Sequence, residues 1–131
     1  MKQTNYGFSK VVPMSYNEAL EKVTEELKKE GFGILTEIDV KETLKKKLDV
    51  DFKSYKILGA CNPPFAYKAL QAEEQIGLLL PCNMVVYVND KGETVVAAMD
   101  PVAAMQAVKN EVLADVANEI QQRLKRVIEN V

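Results

Sequence analysis

The residues best suited to chemistry in this chain are two cysteines, each followed by asparagine: Cys61-Asn62 and Cys82-Asn83. Proline flanks both, in Cys61-Asn62-Pro63-Pro64 and in Pro81-Cys82-Asn83. The 131 residues hold no other cysteine and no histidine. Side-chain chemistry is therefore left to thiols, carboxylates, lysines and hydroxyls, with backbone amides beside them. A serine–histidine or cysteine–histidine triad is excluded by composition. A thiol directly before a helix N-terminus sits in the positive potential of unpaired amides, which lowers its pKa and supplies thiolate near neutral pH. Cys61 has that placement, with Asn62 as the N-cap and Pro63 as the first helical residue. Cys61 and Cys82 are thus the candidate catalytic residues, nucleophile and resolving thiol. The competing reading of Cys61 is a small buried residue closing a strand.

If the two cysteines lie on neighbouring strands, their thiols can form a disulfide, bind a soft metal or hold a persulfide. The spacing is not the Cys-x-x-Cys of redox proteins. Two thiolates without histidine also fall short of the four ligands zinc normally takes, so no metal site is assigned. Nothing in the composition names a cofactor. The same blocks define a candidate ligand cleft of Cys61, Asn62 and Pro63 with Pro81, Cys82 and Asn83. A strand end meeting a helix N-terminus exposes amides, so the expected ligand is small and polar or anionic. Each asparagine also has a structural alternative, one as a helix cap and the other as a turn residue. Among the carboxylates, Asp39 and Asp100 read as helix caps, and no motif supports a general acid/base pair with Glu37. Gly-x-Gly-x-x-Gly and phosphate-loop patterns are absent.

Positioning these residues requires an ordered set of elements. Tyr6 to Val12 reads as a strand stopped by Pro13. Ser15-Tyr16-Asn17-Glu18 is a capping box, followed by a helix with Leu20, Val23 and Leu27 on one face and Gly31 at its end. Gly33 to Ile38 reads as a strand. Asp39-Val40-Lys41-Glu42 then opens a short helix with Val40, Leu44 and Leu48 inward. Phe52 to Cys61 is a third strand, followed by a helix from Pro63 to about Ala72. Ile76 to Leu80 is an apolar run that periodicity does not assign. Met84 to Asn89 and Glu93 to Ala98 form a hairpin around Asp90-Lys91-Gly92, and Asp100-Pro101 starts another helical segment. Leu113, Val116, Ala117, Ile120, Leu124, Val127 and Ile128 recur at three and four, one apolar stripe on a long C-terminal helix. The expected fold is a single α/β (mixed α+β) domain over residues 1–131, with one mixed sheet of about five strands and helices packed on it.

Apolar residues make up 47% and charged residues 27%, enough for a core. The net charge of −2 and the absence of tryptophan argue against a nucleic-acid partner. Lys45-Lys46-Lys47 reads as a solvated helix face. The N-terminus lacks the apolar core of a signal peptide, and the longest apolar stretch, Ile76 to Val88, is too short to span a bilayer. A cytoplasmic protein without a membrane partner is expected, with free thiols in a reducing compartment.

The runs Ile57-Leu58-Gly59-Ala60-Cys61-Asn62-Pro63-Pro64 and Leu79-Leu80-Pro81-Cys82-Asn83, the Asp90-Lys91-Gly92 turn and Asp100-Pro101 resemble the "domain of unknown function 302" family of bacteria and archaea. The resemblance covers nearly the whole chain, and its central Gly, Asn-Pro and Leu-Pro block is its most specific part. It implies a compact α/β domain that assembles as a dimer, and it implies no reaction. A homodimer is also expected because helices on one face of a sheet leave the other bare. Three functional readings follow: a homodimeric binder of a small ligand, a thiol or sulfur-handling protein, and an assembly partner without a ligand.

Overall fold

The computed structural model describes residues 1–131. Its strands are β1 (Lys2–Gln3), β2 (Gly7–Val12), β3 (Gly33–Asp39), β4 (Tyr55–Cys61), β5 (Cys82–Val88) and β6 (Thr94–Met99). Its helices are α1 (Tyr16–Lys29), α2 (Val40–Leu48), α3 (Pro63–Ala72), α4 (Pro101–Met105) and α5 (Glu111–Asn130), with a 3₁₀ segment over Glu74–Leu79. The strands form one six-stranded sheet in the order β1-β2-β6-β5-β4-β3. Every pairing is antiparallel. The sixth strand, absent from the sequence reading, is the two-residue β1 at one edge.

Side chains alternate between the faces of a strand, and the register extends that alternation across the sheet. One face carries Phe8, Val12, Leu58, Met84, Val86 and Val96, all buried. Helix α1 meets them with Ala19, Val23 and Leu27, and α5 with Val116, Ile120, Leu124, Val127 and Ile128. The α5 stripe expected from its spacing is buried in full, from Leu113 to Ile128. Each Val, Leu or Ile sealed in this layer contributes about 1.5–3 kcal/mol, which makes the layer the main source of stability. A smaller cluster of Ala69, Ile76 and Leu113 joins α3, the 3₁₀ segment and the start of α5. The apolar run that the sequence left unassigned is therefore a 3₁₀ turn serving this second cluster.

The caps follow their sequence signatures at three helices. Ser15 accepts from the Glu18 amide at 3.2 Å, Asp39 from the Glu42 amide at 3.0 Å, and Asp100 from the Val102 amide at 2.9 Å. Helix α2 departs from expectation. Val40, Leu44 and Leu48 were to point inward, yet no residue of α2 is buried, and Leu48 is 66% exposed. Its apolar residues are outnumbered by Lys41, Glu42 and Lys45 to Lys47, so solvation of those charges holds the helix at the surface. The third strand also begins three residues later than expected, at Tyr55.

Neither α1 nor α5 covers the opposite face, where Val11 and Ile38 are exposed, Val95 is buried and the residues between them are half-buried. Register aligns Ile38, Ile57, Val85 and Ala97 in one row, and Tyr55, Tyr87, Val95 and Val11 in the next. Tyr55 and Tyr87 stack with ring centroids 5.2 Å apart. No helix of the protein is long and apolar enough to cross a membrane.

Candidate functional site

Strand β4 ends at Cys61, and α3 begins two residues later. Its neighbour β5 starts at Cys82, so the two Cys-Asn blocks meet at the same end of adjacent strands. Ala60 pairs with Cys82 and Gly59 with Asn83. Alternation then turns Ala60 and Cys82 toward the helix layer, and Gly59 and Asn83 away from it. Thr36 and Pro81 close over Gly59 on that far side. A Cβ built there would lie 2.7 Å from Pro81 Cγ and would collide with Thr36 Oγ1, so only glycine fits between them. The Leu80-Pro81 peptide is cis.

A cavity of ≈ 320 Å³ opens at this end of the sheet, bounded by α3, α4 and α5. Fifteen of its 19 lining residues are hydrophobic, with Phe65, Leu80, Met105, Leu113 and Ile120 prominent among them. No charged side chain lines it. The exposed lining residues Leu35, Thr36 and Leu70 mark its mouth. Leu35 is the extra residue of a β-bulge: Ile34 pairs with Ala60 and Thr36 with Gly59, leaving Leu35 unpaired and 68% exposed at the rim.

Four of the six expected ligand residues line this cavity: Cys61, Asn62, Pro81 and Cys82. Pro63 and Asn83 do not, and both are exposed. Asn83 was expected in a turn. It is the second residue of β5, and strand alternation carries it to the open face. The expectation of a polar or anionic ligand is also at odds with the cavity, whose wall is apolar and uncharged.

Asn62 departs from its expected role as a side-chain cap. It occupies the N-cap position, yet its side chain makes no capping hydrogen bond. It is 6% exposed, and its Nδ2 donates to the Glu30 carbonyl at 3.2 Å. The same carbonyl accepts from Arg123 Nη1 at 2.8 Å. Gly31, at φ +86°, brings the backbone against both groups, and a Cβ there would sit 3.0 Å from Asn62 Nδ2 and 3.3 Å from Arg123 Nη1. Arg123 also stacks over Phe65, 5.1 Å from the ring centroid, and Arg126 grips the Glu30 carboxylate at 2.9 and 3.1 Å. The C-terminus of α1, the start of α3 and the middle of α5 are thereby tied at one point behind the cavity. Glu30, Arg123 and Arg126 escaped the sequence reading. The only local signal was Gly31, read there as a helix stop, and its partner Arg123 lies 93 residues beyond Glu30.

Both cysteines are free thiols, each half-buried. Burial, with the Cys61 thiol adding to it, pushes the Cys82 thiol up to about 11. Cys82 is therefore a neutral thiol near pH 7, an apolar contributor to the wall rather than a ready nucleophile. No group of three or more cysteine, aspartate and glutamate side chains comes together to hold a metal ion.

Fold and site together define a small α/β domain: one antiparallel sheet, a helix layer on one face, and an apolar cavity where the layer meets the sheet's end. The chain belongs to the family described as Domain of unknown function DUF302, which it matches over residues 8–131. Among solved structures it is similar to the uncharacterized conserved protein DUF302 from Bacillus stearothermophilus. The two are 32% identical, the match covers 95% of this chain and 96% of the other, and the TM-score is 0.88. No curated protein matches the chain.

Proposed function

We propose that the protein binds a small, mainly apolar molecule in the cavity between α3, α4, α5 and the ends of β4 and β5. One observation carries this reading: an open cavity of ≈ 320 Å³ whose lining includes 15 hydrophobic residues out of 19 and no charge. That volume is at the small end for ligand pockets and roughly twice the ~150 Å³ of an engineered apolar cavity that takes up benzene. Side chains around an empty space lose packing contacts, so a ligand that restores those contacts gains affinity. Cys61, Asn62, Pro81 and Cys82 form the end of the site nearest the sheet.

Native mass spectrometry of protein purified from its own host should show a bound organic molecule that partitions into organic solvent. Release of a multiply charged metabolite instead would reject the apolar reading. The thiol reading, with Cys61 as nucleophile and Cys82 as its resolving partner, is the weaker one because Cys82 stays protonated near neutrality. Mass-spectrometric alkylation kinetics separate the two readings, since a reactive pair labels fast at pH 7 and a wall cysteine does not.

The exposed apolar residues on the sheet face opposite α1 and α5 support a homodimer. Val11 and Ile38 there are 51% and 49% exposed, beside the stacked Tyr55 and Tyr87. A second copy about a two-fold axis would cover them. Sedimentation at micromolar concentration should give twice the 14.6 kDa chain mass; a single species at 14.6 kDa, unchanged on raising the concentration, would reject the dimer. Two unpaired thiols in such a protein suit a cytoplasmic location.

A further inference from the structure

We infer that the molecule held in the cavity carries a neutral hydrogen-bond donor, a hydroxyl or an amide N–H, which Asn62 Oδ1 accepts. This rests on the cavity reading above and specifies the polar end of its ligand.

An anion at this site would need donors or a counter-charge. A helix N-terminus ordinarily offers several unpaired amides. Helix α3 begins Pro63-Pro64, and neither proline has an N–H. The Ala66 amide already donates to the Asn62 carbonyl at 2.9 Å, which leaves the helix start the N–H groups of Asn62 and Phe65 only. Arg123 packs on Phe65, but its Nη1 serves the Glu30 carbonyl and its Nε the Glu119 carboxylate at 3.0 Å. The two prolines remove half of the amides a helix start offers to an anion, and Arg123 does not line the cavity.

Asn62 supplies the opposite polarity. The Glu30 carbonyl can only accept, so the amide nitrogen of Asn62 must face it, and the oxygen is the free end. Oδ1 accepts no hydrogen bond within the protein. It belongs to a residue more than nine-tenths buried that lines the cavity, and it is not sealed from solvent. A buried amide oxygen without a donor is costly, and one that keeps solvent access is free to be satisfied by a guest. A carboxylate brings only acceptors and would meet Oδ1 unfavourably. An alcohol or amide brings the matching donor on an apolar body.

The test is a titration of the wild-type protein at pH 7 with toluene, benzyl alcohol and benzoate, followed by calorimetry and by the Asn62 side-chain amide signals in NMR. Benzyl alcohol should bind about threefold to tenfold more tightly than toluene, the gain expected of one net hydrogen bond. Benzoate should bind most weakly. The Asn62 side-chain signals should move with benzyl alcohol and stay in place with toluene. Equal affinity for toluene and benzyl alcohol, with unmoved Asn62 signals, overturns this inference and leaves the cavity reading standing. Tightest binding by benzoate overturns it in favour of an anion site. Failure of all three to bind overturns the cavity reading and this inference with it.

Discussion

The two Cys-Asn blocks share a dipeptide and a proline neighbour, and they meet opposite fates. In the first block both residues line the cavity, and Asn62 is buried against the end of α1. In the second only Cys82 lines it, and Asn83 is exposed on the far face of the sheet. The first block sits where a strand gives way to a helix, and the chain's change of direction lets successive side chains serve one site. The second lies wholly inside a strand, where period-two alternation separates neighbours. A dipeptide has no fixed role in a site; the element that carries it decides.

The largest effect expected on this contrast comes from the glycine that joins the blocks. Gly59→Ala forces a Cβ against Pro81 Cγ at 2.7 Å and into the Thr36 hydroxyl, so β3 and β5 must shift at the cavity rim. Overpacking of this kind should cost roughly 3 kcal/mol in urea denaturation. A loss under about 0.5 kcal/mol would mean that the rim is soft and the blocks are not held in fixed register. Gly31→Ala comes next, at roughly 2 kcal/mol, from the penalty on a left-handed residue and the crowding of Asn62 and Arg123. Its thermal midpoint should fall by several degrees.

Protonation of Cys82 gives the third prediction. The folded-state value, about 11, lies above the reference 9.0. The native state therefore holds a proton that the unfolded chain has lost between those values. The contribution is complete below pH 9 and is lost as pH rises toward 11, roughly 1 kcal/mol by pH 10. Burial also raises the tyrosine values of Tyr16 and Tyr55, which adds a loss of the same sign in alkali. The difference between wild type and Cys82→Ala in urea melts from pH 8 to 11 isolates the thiol. Parallel pH curves for the two proteins would show that Cys82 is not buried as described.

The smallest expected effects compare the asparagines directly. Asn62→Ala should cost about 1 kcal/mol, because Arg123 still satisfies the Glu30 carbonyl. Asn83→Ala should fall within about 0.5 kcal/mol of wild type. Equal losses at both positions would erase the distinction between the blocks.

How far the sequence could be read depends on how local the determining contacts are. The α5 stripe was legible because helical period alone places Leu113 to Ile128 on one side, and a sheet was there to bury it. The bounds of α3 were legible because Asn62 and Pro63 mark a helix start whatever surrounds them. The use of the Asn62 side chain was not, because its partner is a carbonyl 32 residues away whose position depends on the whole fold. Val40, Leu44 and Leu48 have helical spacing too, but the sheet edge beside α2 covers Val40 and Leu44 only in part and leaves Leu48 exposed. The apolar character of the cavity was missed for a related reason. Leu80, Met105 and Leu113 come from three separate segments, and no spacing in the chain announces that they enclose a space.

A crystal of the protein pressurised with xenon shows directly whether the space between α3, α4 and α5 is an apolar binding cavity. Xenon enters dry apolar cavities and has no polar affinity to confuse the result. A xenon site is expected among Phe65, Leu113 and Ile120, with the side chains of the wall unmoved. Xenon bound only elsewhere, or ordered waters filling the space among Phe65, Leu113 and Ile120, would contradict it.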